Sequence, residues 1–101
     1  MTFHENKRQF LRMMVNSECN LKIMAADSSR SLRAVCKDIS ATGMSIDIHE
    51  KSVKTGTKVK VHIKSTNSLF PSLTADTKVV HCEKVDVNSC NVGVAIYLLS
   101  N

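Results

Sequence analysis

Two stretches of the sequence carry side chains able to grip a polar ligand. Near the start, "KRQFLR" sets Arg8 and Arg12 four residues apart, with Lys7 and Gln9 around the first of them. A guanidinium is a planar fork of donors. It can hold phosphate oxygens bidentately, take the O6 and N7 acceptors of guanine in the same way, or stack on a base. Residues at this spacing share one side of the backbone whether the segment is helical, with about 6 Å between them, or extended, with about 13 Å. Both arginines can therefore reach one ligand, and the spacing leaves the two conformations open. The second stretch is "DISATG", in which Asp38, Ser40 and Gly43 form a D-x-S-x-x-G pattern. An acceptor-only carboxylate at Asp38 matches the N1 and N2 donors of guanine, and the Ser40 hydroxyl donates or accepts. A glycine at position 43 suits a turn that needs positive φ, or a place where a base or phosphate comes close to the backbone.

The other chemistry-bearing residues form no set. Ser40, the four histidines (His4, His49, His62, His81) and the acidic residues supply no nucleophile, base and orienter in a recognisable order, so an enzyme is not expected. Cys19, Cys36, Cys82 and Cys90 include no C-x-x-C. Cys19 and Cys36 fall on apolar positions of strand-like patterns, where a reduced cysteine acts as a small hydrophobe. His81 and Cys82 are adjacent, and neighbours on a strand point to opposite faces, so no shared metal ion is expected. Fourteen Lys and Arg against nine Asp and Glu leave a net charge of +5, which favours an anionic partner. Lys7, Arg8 and Arg12 are compact enough to be a site. Lys51, Lys54, Lys58, Lys60 and Lys64 are spread out and read as a solvated face.

The elements that must position these residues are strands. In "GMSIDIH", Met44, Ile46 and Ile48 alternate with polar residues, and in "KVKVHIK" Val59, Val61 and Ile63 do the same. Cys19, Leu21 and Ile23 mark another strand, and Val92, Val94, Ile96 and Leu98 a further one. "SLRAVCKDI" and "TADTKVVHC" are less regular but rich in Val, Thr, Ile and Cys. Turn signals separate these runs at 26–31, 40–43, 54–57, 65–68 (with Pro71 beyond) and 86–89. With 101 residues, 43% of them hydrophobic, the chain suits one domain. Six short strands argue for an all-β fold, a six-stranded antiparallel barrel whose closure removes exposed edges. Residues 1–12 are expected to be a basic N-terminal arm and 13–101 the barrel. No apolar run reaches the length of a membrane span and the opening residues lack the apolar core of a secretory signal, so a cytoplasmic protein without membrane insertion is expected.

The basic pair, the D-x-S-x-x-G turn 26 residues further on, and a last strand reading "VGVAIYLL" together resemble the PilZ domain family over most of the chain. The resemblance implies a PilZ-like β-barrel that binds the second messenger cyclic di-GMP as a ligand, with no cofactor and no metal. It assigns binding to Arg8, Arg12, Asp38, Ser40 and Gly43, each matching its motif position, with Lys7 and Gln9 as flanking contacts. Because the chain ends at "YLLSN", little or no C-terminal helix is expected. The implied mechanism is an arm that folds onto the turn when ligand binds, rearranging Phe3, Phe10 and Leu11 and signalling to a separate effector protein. Two other readings stand beside it. One is a PilZ-like adaptor that contacts a protein without any nucleotide. The other is a basic barrel that binds RNA or single-stranded DNA, against which counts the scarcity of aromatics, only Phe3, Phe10, Phe70 and Tyr97.

Overall fold

The computed structural model describes residues 13–24, 29–64 and 72–100, and Lys7, Arg8, Gln9 and Arg12 lie outside them. Six strands follow in order: β1 (Met13–Met24), β2 (Ser29–Ile39), β3 (Gly43–Ile48), β4 (Lys58–Ile63), β5 (Leu73–Asp86) and β6 (Ser89–Ser100). They close into a barrel in the order β1-β2-β3-β6-β5-β4, with every neighbouring pair antiparallel. Alternation supplies the reason. Leu21 and Ile23, Ala34 and Cys36, Met44, Ile46 and Ile48, Val59 and Val61, and Val92 and Val94 are all buried, and the residues between them face outward. The six expected strands are all present, and no helix among the described residues is long and apolar enough to cross a membrane.

The irregular "TADTKVVHC" stretch resolves into the same pattern. Ala75, Thr77 and Val79 point inward at 0%, 0% and 1% exposure. Thr77 is the one polar residue among the fully buried ones described, and its hydroxyl donates to the Val59 carbonyl at 2.7 Å, so the core contains no unpaired group there. Cys19, Cys36 and Cys90 are buried. Burial pushes the Cys19 thiol up to about 12 and the Cys36 thiol up to about 11, which keeps both protonated and inert at neutral pH. Cys82 packs partly against the core while its neighbour His81 is exposed, as opposite faces of one strand require. The spread lysines 51, 54, 58, 60 and 64 are all exposed.

One inward assignment needs correction. Leu98 continues the Val92-Val94-Ile96 alternation in sequence but is 58% exposed, beside Tyr97 and Leu99. β3 accompanies β6 only as far as Ala95, and a register shift in the β5–β6 ladder falls between Asp76 and Thr77. That shift leaves Tyr97 as an extra residue on β6, so Leu98 pairs with Asp76 and shares its outward face. A Leu98→Ala substitution should accordingly change stability by less than about 1 kcal/mol, whereas Ile46→Ala, at 0% exposure, should cost about 2–5 kcal/mol. Urea denaturation of the two variants is the check, and similar losses would mean that Leu98 is packed.

Candidate functional site

The D-x-S-x-x-G stretch spans the end of β2 and the start of β3, and its geometry is set by a bulge. Cys36 pairs with Ile46 and Asp38 with Ser45, so Lys37 is an extra residue on β2 with no opposite number on β3. Strict alternation from the buried Ala34 and Cys36 would send Asp38 into the core. The extra residue turns it round. Asp38 now shares a face with Ser45, which lies between the buried Met44 and Ile46 and so points outward, and with Met14, which is 67% exposed. β1 accommodates the change at Val15 and Asn16, where its register against β2 also shifts and Asn16 takes a φ of 44°. Asparagine tolerates this left-handed conformation better than most residues.

Within the turn, the Ser40 amide donates to the Gly43 carbonyl at 2.8 Å. The Ser40 hydroxyl donates to the same carbonyl and accepts from the Thr42 amide, each at 3.4 Å. Ser40 thus holds the turn from inside while remaining only half-buried. The Ile96 amide donates to the Thr42 carbonyl at 2.9 Å, tying the turn to β6. The Cys36 thiol donates to the Asp38 carbonyl at 3.4 Å, and the negative Asp38 adds to the upward shift that burial gives this thiol.

Gly43 serves a purpose other than a left-handed turn. Gly56 is the described glycine with positive φ, at 89°, and Gly43 is not in that region. A Cβ on Gly43 would lie 2.6 Å from the Val94 carbonyl oxygen, so the close approach at this position is made by the backbone of β6. The motif glycine lets the turn seat against the neighbouring strand.

The outward row containing Asp38 runs across the wall. Met14, Asp38, Ser45, Gly93 and His81 are successive partners on β1, β2, β3, β6 and β5. Beside it the Asn91 side-chain amide donates to the Ser45 hydroxyl at 2.9 Å and to an Asp47 carboxylate oxygen at 2.8 Å. Gly93 leaves the row without a side chain between Ser45 and His81. Sequence reasoning passed over Ser45, Asn91 and Gly93. The available signal was phase: a carboxylate at an inward position of "AVCKD" implies either a buried charge or a bulge, and a bulge identifies the partner strand's outward residues as its neighbours. The described part of β1 begins at Met13, whose partner on β2 is Ile39, and the residue after Ile39 is Ser40. The arm bearing Arg8 and Arg12 is therefore joined to the barrel beside this turn. The arm residues themselves are outside the described part of the chain.

A closed six-stranded antiparallel barrel with a polar turn on its wall, next to the root of a basic N-terminal segment, defines a small binding module. The chain belongs to the PilZ domain family, whose model matches residues 6–101. Among solved structures it is similar to the Bacillus subtilis inhibitor of motility (MotI/DgrA), with a TM-score of 0.67 and 13% identity over 94% of this chain and 44% of that one. It is also similar to the PilZ domain with c-di-GMP of YcgR from Escherichia coli, with a TM-score of 0.64 and 12% identity over 90% of this chain and 78% of that one. At such identities the likeness is one of fold, and the chain spans less than half the length of the Bacillus protein. A sequence comparison with curated proteins finds no match.

The two exposures of glycine to its surroundings can be separated experimentally. Gly43→Ala meets backbone at 2.6 Å and should destabilise the domain by about 1–3 kcal/mol, the range for overpacking. Gly93→Ala meets only the His81 Cβ at 3.5 Å, an ordinary contact, and should leave the thermal midpoint within a few degrees of the parent. Equal midpoints for the two variants would show that the turn does not seat against β6 as described.

Proposed function

We propose that this domain is a cyclic di-GMP receptor that passes the binding event to a separate effector protein. The observation that supports the reading most is that β1 begins at Met13, opposite Ile39 at the edge of the motif turn, while the Lys37 bulge turns Asp38 outward on the same wall, so the segment carrying Arg8 and Arg12 enters the barrel there. Membership of the PilZ family supports it, as does the likeness in fold to a YcgR domain whose structure contains c-di-GMP.

In this reading Arg8 and Arg12 supply guanidinium forks to the phosphodiesters and to guanine O6 and N7, and a guanidinium plane stacks on a base. Asp38 accepts from the guanine N1 and N2 donors, and Ser40 contributes its hydroxyl from the rim of the turn. Lys7 and Gln9 flank the first arginine. Gly43 acts by seating the turn against β6, which fixes where Asp38 and Ser40 stand. The Met14-Asp38-Ser45-Gly93 row crosses three strand spacings, roughly 14 Å, and gives the ligand a floor that lacks a side chain at Gly93. Ligand folds the arm onto this wall, and the effector senses the rearranged Phe3, Phe10 and Leu11. The domain acts by binding rather than by catalysis, in the bacterial cytoplasm where the messenger is made.

Calorimetric titration of cyclic di-GMP into the full chain tests the reading. The parent should bind, and Arg8→Ala, Arg12→Ala and Asp38→Ala should each weaken binding by about tenfold or more, equivalent to about 1.4 kcal/mol or more. Amide exchange of residues 3–12 should slow when ligand is added. No heat with the parent protein would leave the nucleotide-free adaptor in its place. Heat with arbitrary oligonucleotides that collapses as salt rises would favour the nucleic-acid reading instead.

A further inference from the structure

The wall opposite the motif turn has an unusual arrangement of charge. In the ring β1-β2-β3-β6-β5-β4, β4 stands diametrically across from β3. On the outer face of β4 and its neighbours, Lys22 of β1 lies directly opposite Lys60, and Lys58 lies directly opposite Lys78 of β5. Like charges set face to face across a ladder destabilise a sheet. Here two such pairs occupy adjacent outward rows, because Lys58 and Lys60 are two residues apart on one strand. Arg33 of β2 and His62 extend the group through Asn20, the partner of both. A surface depression of about 380 Å³ lies among Asn20, Lys22, Ser31, Arg33, Lys60 and His62.

Among the described residues only part of this charge is answered. Arg33 meets Glu18 at 3.1 Å and Lys60 meets Asp76 at 3.4 Å, both near the surface. Lys22, Lys58 and Lys78 are exposed and have no carboxylate partner among the described residues. The face thus holds an excess of cations at spacings of about 5 to 7 Å, with two carboxylates set among them.

We propose that this β1–β4–β5 face is the docking surface for an acidic protein partner. The counterions already present, Glu18 and Asp76, are carboxylates, and they show the chemistry that the uncovered lysines can accept. They also argue against a continuous polyanion. A phosphate backbone or an anionic membrane would have to run over both carboxylates, whereas a folded partner can set polar or basic groups against them and acids against the lysines. Among the described residues no aromatic side chain lies on the β1, β4 and β5 part of these rows, so bases have no stacking platform there. The surface goes beyond the nucleotide site: it is on the far wall, and neither depends on the other's residues.

The test uses the full chain and a fluorescein-labelled poly-L-glutamate peptide, followed by anisotropy at low ionic strength. A variant carrying Lys22→Gln, Lys58→Gln and Lys78→Gln should bind about tenfold more weakly. A control with Lys51→Gln, Lys54→Gln and Lys84→Gln changes net charge equally and should bind as the parent does. The first variant should also melt at the same temperature as the parent or higher, since facing like charges have been removed, and its cyclic di-GMP titration should match the parent's. Equal losses in the two variants would reduce the effect to net charge and overturn the proposal. So would absence of peptide binding, or tighter binding to duplex DNA or to phosphatidylserine vesicles that depends on the same three lysines.

Discussion

The candidate site depends on one extra residue in one strand. Without the bulge at Lys37, Asp38 would continue the inward phase of Ala34 and Cys36 and would bring a carboxylate into a core whose one described polar side chain is the satisfied Thr77. Burying an ionised group without a partner is costly enough that the group would neutralise or the strand would shift. The bulge removes that conflict and turns the same carboxylate into a surface acceptor, while Ile39 returns to phase and pairs with Met44. It also reaches β1, where Asn16 adopts its left-handed conformation beside the shift in register. Site and barrel wall are therefore one construction.

The turn that follows is held by the same economy of space. A glycine at position 43 allows the Val94 carbonyl within the distance a Cβ would need, and the Ile96 amide then reaches the Thr42 carbonyl. Ser40 closes the turn from the other side through its amide and hydroxyl. Two of the three motif positions thus spend part of their chemistry on shaping the turn. A residue can belong to a binding motif because it fixes where its neighbours stand.

Much of the barrel was legible because period-two alternation is a direct consequence of strand geometry, and "GMSIDI" and "KVKVHI" carry it without interruption. Its limits are equally physical. Leu98 keeps the period in the sequence, and alternation along one strand cannot reveal an extra residue such as Tyr97 that shifts its register against β5. At position 43 the sequence shows the missing side chain, which suits positive φ or a close approach, but not the strand that comes up against it. The nature of the motif residues was legible from their types. Their direction was not, since it depends on register between strands that are distant in sequence, such as the β3–β6 pairing that brings Ser45 against Gly93.

β1 joins the two walls to which the nucleotide and the protein partner are assigned. Its first residues pair with the end of β2 beside the motif turn, and its last ones, from Asn20 to Met24, pair with β4 on the lysine face. A ligand-driven change at the root of the arm would act on the same strand that carries Lys22. Transmission through a closed barrel requires no movement of the wall itself, because closure makes the ladder stiff. In the proposed function, the change that a partner on the other wall would read is the position of the segment that leads into β1. The proposals thus place the nucleotide and the protein partner on opposite walls of one barrel, joined by β1.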